Sequence, residues 1–257
     1  MRLKDPNATD NSRKFSSDAQ GLSDAAGKKK SRSKAQGDET RAQLIDAAER
    51  LFAQHGIEGI SLRAISVAAK QSNNVAVQYH FGDRMGLIDA IFAKRTPQIE
   101  RRRSELFTHA RGRQDKLDVK ALVEILFLPL TEMTEADGHN IYAQFLLHFL
   151  NARMLLNKTS HPLGRQRMGL PQQENSTTFE AVQMIINQLP DIPESVIRER
   201  ILLQLHSFLS ALVNWERFNE QESNLWPLNI LIIDQIDIIS TILSMPVSSQ
   251  VAEYFNN

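Results

Sequence analysis

Residues 61–82 read SLRAISVAAKQSNNVAVQYHFG. A short apolar helix is expected from Leu62 to Ala69, then a polar break at Lys70-Gln71-Ser72, then a second short helix rich in amide and aromatic side chains that closes on Phe81-Gly82. Two short helices around a tight polar turn make a helix-turn-helix, whose second helix enters the DNA major groove. The expectation is a chain that reads a DNA sequence. The remaining residues must then give this small motif a core and a means of control.

The flanking sequence offers the cover. Upstream, Thr40 and Gln43 have capping-box spacing, so order is expected to begin near Thr40. Ala42, Ile45, Ala48, Leu51 and Phe52, flanked by Leu44 and Ala47, form a helical apolar stripe that Gly56 stops after His55. Ser61 is a good N-cap for the second helix, with Leu62, Ile65 and Ala69 facing inward. Ser72 or Asn73 caps the third, whose buried contacts are expected from Val75, Val77 and Phe81. Asp83 opens a longer helix carrying Leu87, Ile88, Ile91 and Phe92, and Pro97 is expected to kink or restart it.

Beyond that point the apolar spacing is helical throughout, predicting helices over about 98–111, 118–135 with Pro129 inside, 139–157, 174–189, 193–220 and 227–245. No alternating β pattern of useful length occurs, so the fold class is all-α. The last two of these helices are apolar over more than one face, as Ile201, Leu205, Leu209 and Leu212 and then Leu228, Ile232, Ile236 and Ile239 illustrate. Such helices bury against more than one neighbour. A homodimer seam over residues 193–245 is favoured over burial within one subunit, because a reader of palindromic DNA needs a two-fold axis.

Composition narrows the remaining classes. The 257 residues carry no formal net charge, but Lys28, Lys29, Lys30, Arg32 and Lys34 cluster before the first helix, and Arg101, Arg102 and Arg103 form a second run. Each run reads either as a solvated surface or as a contact to DNA. There is no cysteine, which excludes disulfide scaffolds and thiolate metal sites. The polar N-terminus lacks a signal-peptide core, and the most apolar stretch, Leu228 to Met245, is broken by Asp234 and Asp237. No membrane association and a cytoplasmic (bacterial, nucleoid-associated) location are therefore expected. No HExxH, nucleophile elbow, phosphate-cradling Gly loop or metal-spaced His cluster is present, so the chain reads as a non-enzyme without cofactor or metal.

From Arg41 to Arg95 the chain resembles the TetR family of bacterial transcriptional regulators: the apolar helix ending in Phe52, the His55-Gly56 stop, the Ser61-Leu62-Arg63 opening with Ile65, and the Tyr79-His80-Phe81-Gly82 close. The resemblance implies a dimeric repressor with a DNA-binding domain and a larger helical ligand-binding and dimerisation domain that holds a small-molecule inducer. The corresponding boundaries are a disordered basic tail at 1–38, a three-helix helix-turn-helix domain at 39–84 and the helical domain at 85–257. Two departures stand out. Lys70 occupies the usual turn glycine, so the turn is either rebuilt or carries a left-handed lysine at about 1–2 kcal/mol. The segment to Phe81 is also one residue longer, at Asn73-Asn74, which puts Gln78 where the family's phosphate-binding tyrosine often sits and Tyr79 one place later.

On this reading the partner is double-stranded DNA with a near-palindromic operator, from which a small-molecule ligand of unidentified structure releases the dimer. A ligand-blind or partner-controlled DNA-binding protein is the alternative. Asn73, Asn74 and Gln78 carry amides suited to adenine edges, unless the two asparagines serve only as caps. Tyr79 and His80 can reach phosphate, and Arg41, Ser61, Arg63 and Arg84 are candidate backbone clamps. In the C-terminal helices Phe127, Tyr142, Phe145, Phe149 and Met184 are candidate cavity linings, with His148 to orient a polar ligand; plain core packing is the alternative for each.

Overall fold

The computed structural model describes residues 14–71, 75–112, 117–135, 138–156, 176–219 and 226–256. All regular structure among them is helical: α1 (Lys14–His55), α2 (Leu62–Ala68), α3 (Ala76–Phe81), α4 (Arg84–Gly112), α5 (Val119–Thr131), α6 (Ile141–Leu156), α7 (Thr177–Gln188), α8 (Glu194–Asn219), α9 (Leu228–Ser244) and α10 (Ser249–Asn256). The all-α expectation holds. Helix α10 was not anticipated, because eight residues after Met245-Pro246 are too few for a helical period to separate from a tail.

Helix α1 starts at Lys14, so Thr40 lies inside it and caps nothing, and residues 14–38 are helix where a disordered tail was expected. Once the packed half of a helix has nucleated, each added residue gains one hydrogen bond, and the Ala, Gln, Lys and Arg of this stretch are good helix formers. The side chains of Lys28, Lys29, Lys30, Arg32 and Lys34 lie outside the described residues, as do residues 1–13. The packed stripe begins at Leu44 and runs through Ile45, Ala48 and Phe52 to Ala53, with Ala42 left exposed. Gly56 ends the helix as expected, at φ +80°, and its N–H donates to Phe52 O at 3.0 Å.

Pro97 sits within α4 without ending it. Ile88 and Ile91 before it and Ile99 and Phe107 beyond it are all buried on that helix. Burial of each such side chain is worth about 1.5–3 kcal/mol, which together outweighs the roughly 3 kcal/mol of an interior proline. Helix α4 therefore runs unbroken from the helix-turn-helix into the rest of the molecule.

A first cluster of buried side chains joins Leu44, Ala48 and Phe52 of α1 to Ile65, Val77, Leu87 and Ile91. It continues without a gap into the second half, because α1 packs along α6 and Phe52 stacks on Phe145 at 6.4 Å between ring centroids. Around α6 the other helices close a bundle: α5 packs against α4, α7 and α9, and α8 lies between α6 and α9.

Candidate DNA interface and ligand cavity

The turn of the helix-turn-helix keeps its left-handed residue. Lys70 has φ +56°, its N–H donates to Val67 O at 2.9 Å, and the Gln71 N–H donates to Ser66 O at 2.9 Å. This pair of bonds is a Schellman close of α2 with lysine at the position that favours glycine. The turn is thus not rebuilt. The Gln71 side chain ties it to α1 through Gln43 Oε1 at 3.0 Å. Strain of about 1–2 kcal/mol for a left-handed L-residue, less about 0.4–1 kcal/mol for glycine's freer unfolded chain, gives an expected net gain of about 0.5–1 kcal/mol for Lys70→Gly. Chemical denaturation reads this directly, and a loss of stability would contradict the strain argument.

Ser61 caps α2 as expected, its Oγ accepting from the Ala64 N–H at 3.1 Å. Helix α3 opens one residue later than the expected burial pattern, with Val75 as N-cap, so Val75 is exposed and Ala76 joins Val77 inside. Gln78 and Tyr79 are exposed, the latter 84% so. Its ring meets that of His80 edge-on at 5.0 Å, and His80 is half-buried. Asn73 and Asn74 lie outside the described residues. Arg63 is exposed on α2. Arg41 reaches from α1 over the Phe81 ring at 5.2 Å, so it already braces the end of α3. Arg84 donates to Ile60 O at 2.8 Å and pairs with Glu58, which ties α4 to the loop before α2. Gly86 escaped the sequence reading. A Cβ there would lie 2.0 Å from Phe81 O, so the α3–α4 corner tolerates no side chain; only the close approach of two backbones reveals it.

Behind this face runs an ion network that sequence spacing did not show. Glu49 of α1 is buried and accepts from Arg95 Nε at 2.6 Å and from Lys94 Nζ at 2.9 Å. Arg95 also pairs with Glu135 at 2.5 Å and lies over the Tyr142 ring at 5.9 Å. Burial works against the Arg95 charge, but the hydrogen bonds it donates to Glu49 and Glu135 outweigh it and hold its pKa above the ordinary value. The network joins α1, α4 and the segment before α6.

The second half holds a partly open cavity of about 70 Å³, lined by α4, α5, α6, α7 and α8. Of the expected linings, Phe127, Tyr142 and Phe149 border it. Phe145 does not; it packs between Phe52, Phe92 and Tyr142 as core. Met184 is partly buried against the core and away from the cavity. His148 faces α1 instead, near Gly56, and burial lowers its pKa while a bond with the Ala53 backbone partly opposes this. Residues 141–150 of α6 are all buried or half-buried, so one helix serves the cavity and the α1 contact with different residues, and local spacing does not separate the two sets.

Missing from the sequence reading were Glu100 and Arg103, which border the cavity. Arg103, expected as part of a basic surface run, is buried. Its partners come from α4, α5 and α7: Glu100 at 3.3 Å, the Leu126 carbonyl at 2.8 Å and the Thr178 hydroxyl. Arg102 and Arg101 remain at the surface and pair with Glu132 and Glu105.

Known proteins share the sequence of the DNA-facing half. Residues 44–91 match the family model of the bacterial regulatory proteins, tetR family. The chain is also similar to the HTH-type transcriptional regulator AcrR of Shigella flexneri, 24% identical over 188 residues that cover 72% of this chain and 81% of that relative. Among the described residues no helix is long and apolar enough to cross a membrane. The family match takes in the packed part of α1, all of α2 and α3 and the opening of α4, so these residues carry a helix-turn-helix domain of the TetR family, and with the similarity to AcrR they support a DNA-binding transcriptional regulator of that kind.

Proposed function

We propose that this chain is a repressor that leaves a near-palindromic operator when a small molecule enters the cavity between α4 and α8. The observation that carries the reading is the pairing of an exposed Gln78–Tyr79 face on α3 with a cavity bordered by the unbroken helix α4 that follows it. In this reading a domain at 39–84 reads DNA, and the helices at 85–257 bind the ligand and a second copy of the chain. Family membership implies DNA binding and dimer formation. The surface of α8 and α9 supports the seam at 193–245, since Leu203, Phe218, Ile230, Ile233 and Ile238 are exposed there. Apolar side chains grouped in this way mark an interaction surface. Two copies of α3 would then enter successive major grooves about 34–36 Å apart.

Ligand binding changes DNA affinity only through a difference in its affinity for the two states. Helix α4 has the position to transmit that difference, because it borders the cavity at Ile99 and Arg103 and carries Leu87 and Ile91 in the core of the helix-turn-helix. The test is fluorescence anisotropy on DNA upstream of the gene, with scrambled DNA as control. Specific binding is expected, and equal affinity for both DNAs would sink the proposal. Gln78→Ala should weaken specific binding by about 1–3 kcal/mol, roughly fivefold to 150-fold, and leave binding to scrambled DNA unchanged. A uniform loss on both would make Gln78 a phosphate contact instead.

A further inference from the structure

The polar end of the cavity limits what chemistry it accepts. Glu100 is already saturated: its carboxylate accepts from the Thr177 N–H at 2.8 Å, the Thr177 hydroxyl at 2.6 Å, the Thr178 hydroxyl at 2.9 Å and Arg103 at 3.3 Å. A carboxylate offers about four lone-pair sites, so none remains for a ligand donor. Arg103 is the reverse case. Its two terminal nitrogens are engaged, but its Nε–H is buried and has no partner. A buried N–H without an acceptor is rare, and an arriving acceptor removes its penalty. Charge is balanced as well, since Glu100 lies within ion-pair distance of Arg103. A ligand carboxylate would therefore add an uncompensated negative charge to a mostly apolar site. The remaining wall is apolar and aromatic, with Phe92, Phe127 and Phe149.

We infer that the cavity takes a neutral, largely apolar molecule with one hydrogen-bond acceptor, such as a ketone, ester or amide carbonyl, received by the Arg103 Nε–H. This deepens the proposed function and rests on its reading of the cavity as the ligand site. Tyr142 borders the same space, and burial keeps its phenol protonated. An un-ionised phenol offers nothing that would attract a cation by charge.

The test is calorimetry on the full-length protein with three probes of similar size: acetophenone, ethylbenzene and benzoate. Acetophenone is expected to bind about tenfold more tightly than either of the others. In Arg103→Lys, which keeps a cation beside Glu100 and removes the Nε–H, the advantage over ethylbenzene should fall to within about twofold. If ethylbenzene or benzoate matches acetophenone in the wild-type protein, the ligand class is overturned while the cavity stands as a ligand site. Should none of the three bind at millimolar concentration, the reading of the cavity falls and the inference with it. The wild-type comparison decides the matter even where Arg103→Lys does not fold.

Discussion

Glu49→Ala is expected to lower folding stability by about 3–5 kcal/mol, the range for removing one partner of a buried ion pair. Glu49 is 1% exposed, and it takes Arg95 Nε at 2.6 Å and Lys94 Nζ at 2.9 Å on its two oxygens. Lys94 retains Asp46 at 2.8 Å and sits near solvent, so its loss is modest. Arg95 keeps Glu135 but would bury its Nε–H side against a void. Such a loss is a large fraction of the 5–15 kcal/mol typical of a whole domain. Urea denaturation measures it, and a change under about 1 kcal/mol would show that the pair contributes nothing. Glu49→Leu combined with Arg95→Met is the informative companion. Replacing both partners with apolar groups leaves no orphaned charge, so much of the stability should return. DNA binding by the double variant then reports whether the network also sets the angle of α4 on α1.

Phe145→Ala is expected to cost about 3–5 kcal/mol as a large-to-small change at a site with no room to collapse. The ring is fully buried and touches Phe52 at 6.4 Å, Phe92 at 5.6 Å and Phe149 at 6.3 Å. It fills the joint between the helix bearing the DNA-facing core and the helix bearing the cavity. Thermal and urea unfolding measure the loss, and Phe145→Leu should show a smaller one. Because Phe145 is not part of the cavity wall, ligand affinity of the folded fraction should be retained. A selective loss of ligand binding with normal stability would instead return Phe145 to the ligand site.

Much of the DNA-facing half was legible because its signals are local. Ser61 as cap, Gly56 as stop and the 3.6-residue spacing of Ile45, Ala48 and Phe52 each follow from neighbours a few residues away. Lys70 shows the limit of such reading. Its position in the turn was clear, but whether the turn kept a left-handed residue depended on the two bonds to Ser66 and Val67 and the hold of Gln71 on Gln43. The basic run at Arg101–Arg103 shows a different limit. Three adjacent arginines point in three directions around a helix, and here one is buried while two pair at the surface. Composition treats them alike. Thr178, which lies on another helix, decides which one is interior.

The sequence by itself determined the all-α class, the helix-turn-helix and its family, since periodicity, caps and stops are written within a turn or two of the chain. Only the tertiary structure decided that Phe145 and His148 serve the contact with α1, that Glu49 holds α4 to α1, and that Arg103 meets the cavity with one N–H unpaired. The partners in those contacts are tens of residues apart. Which face of a helix meets which neighbour is settled by the packing of whole helices against one another, and no local pattern encodes it.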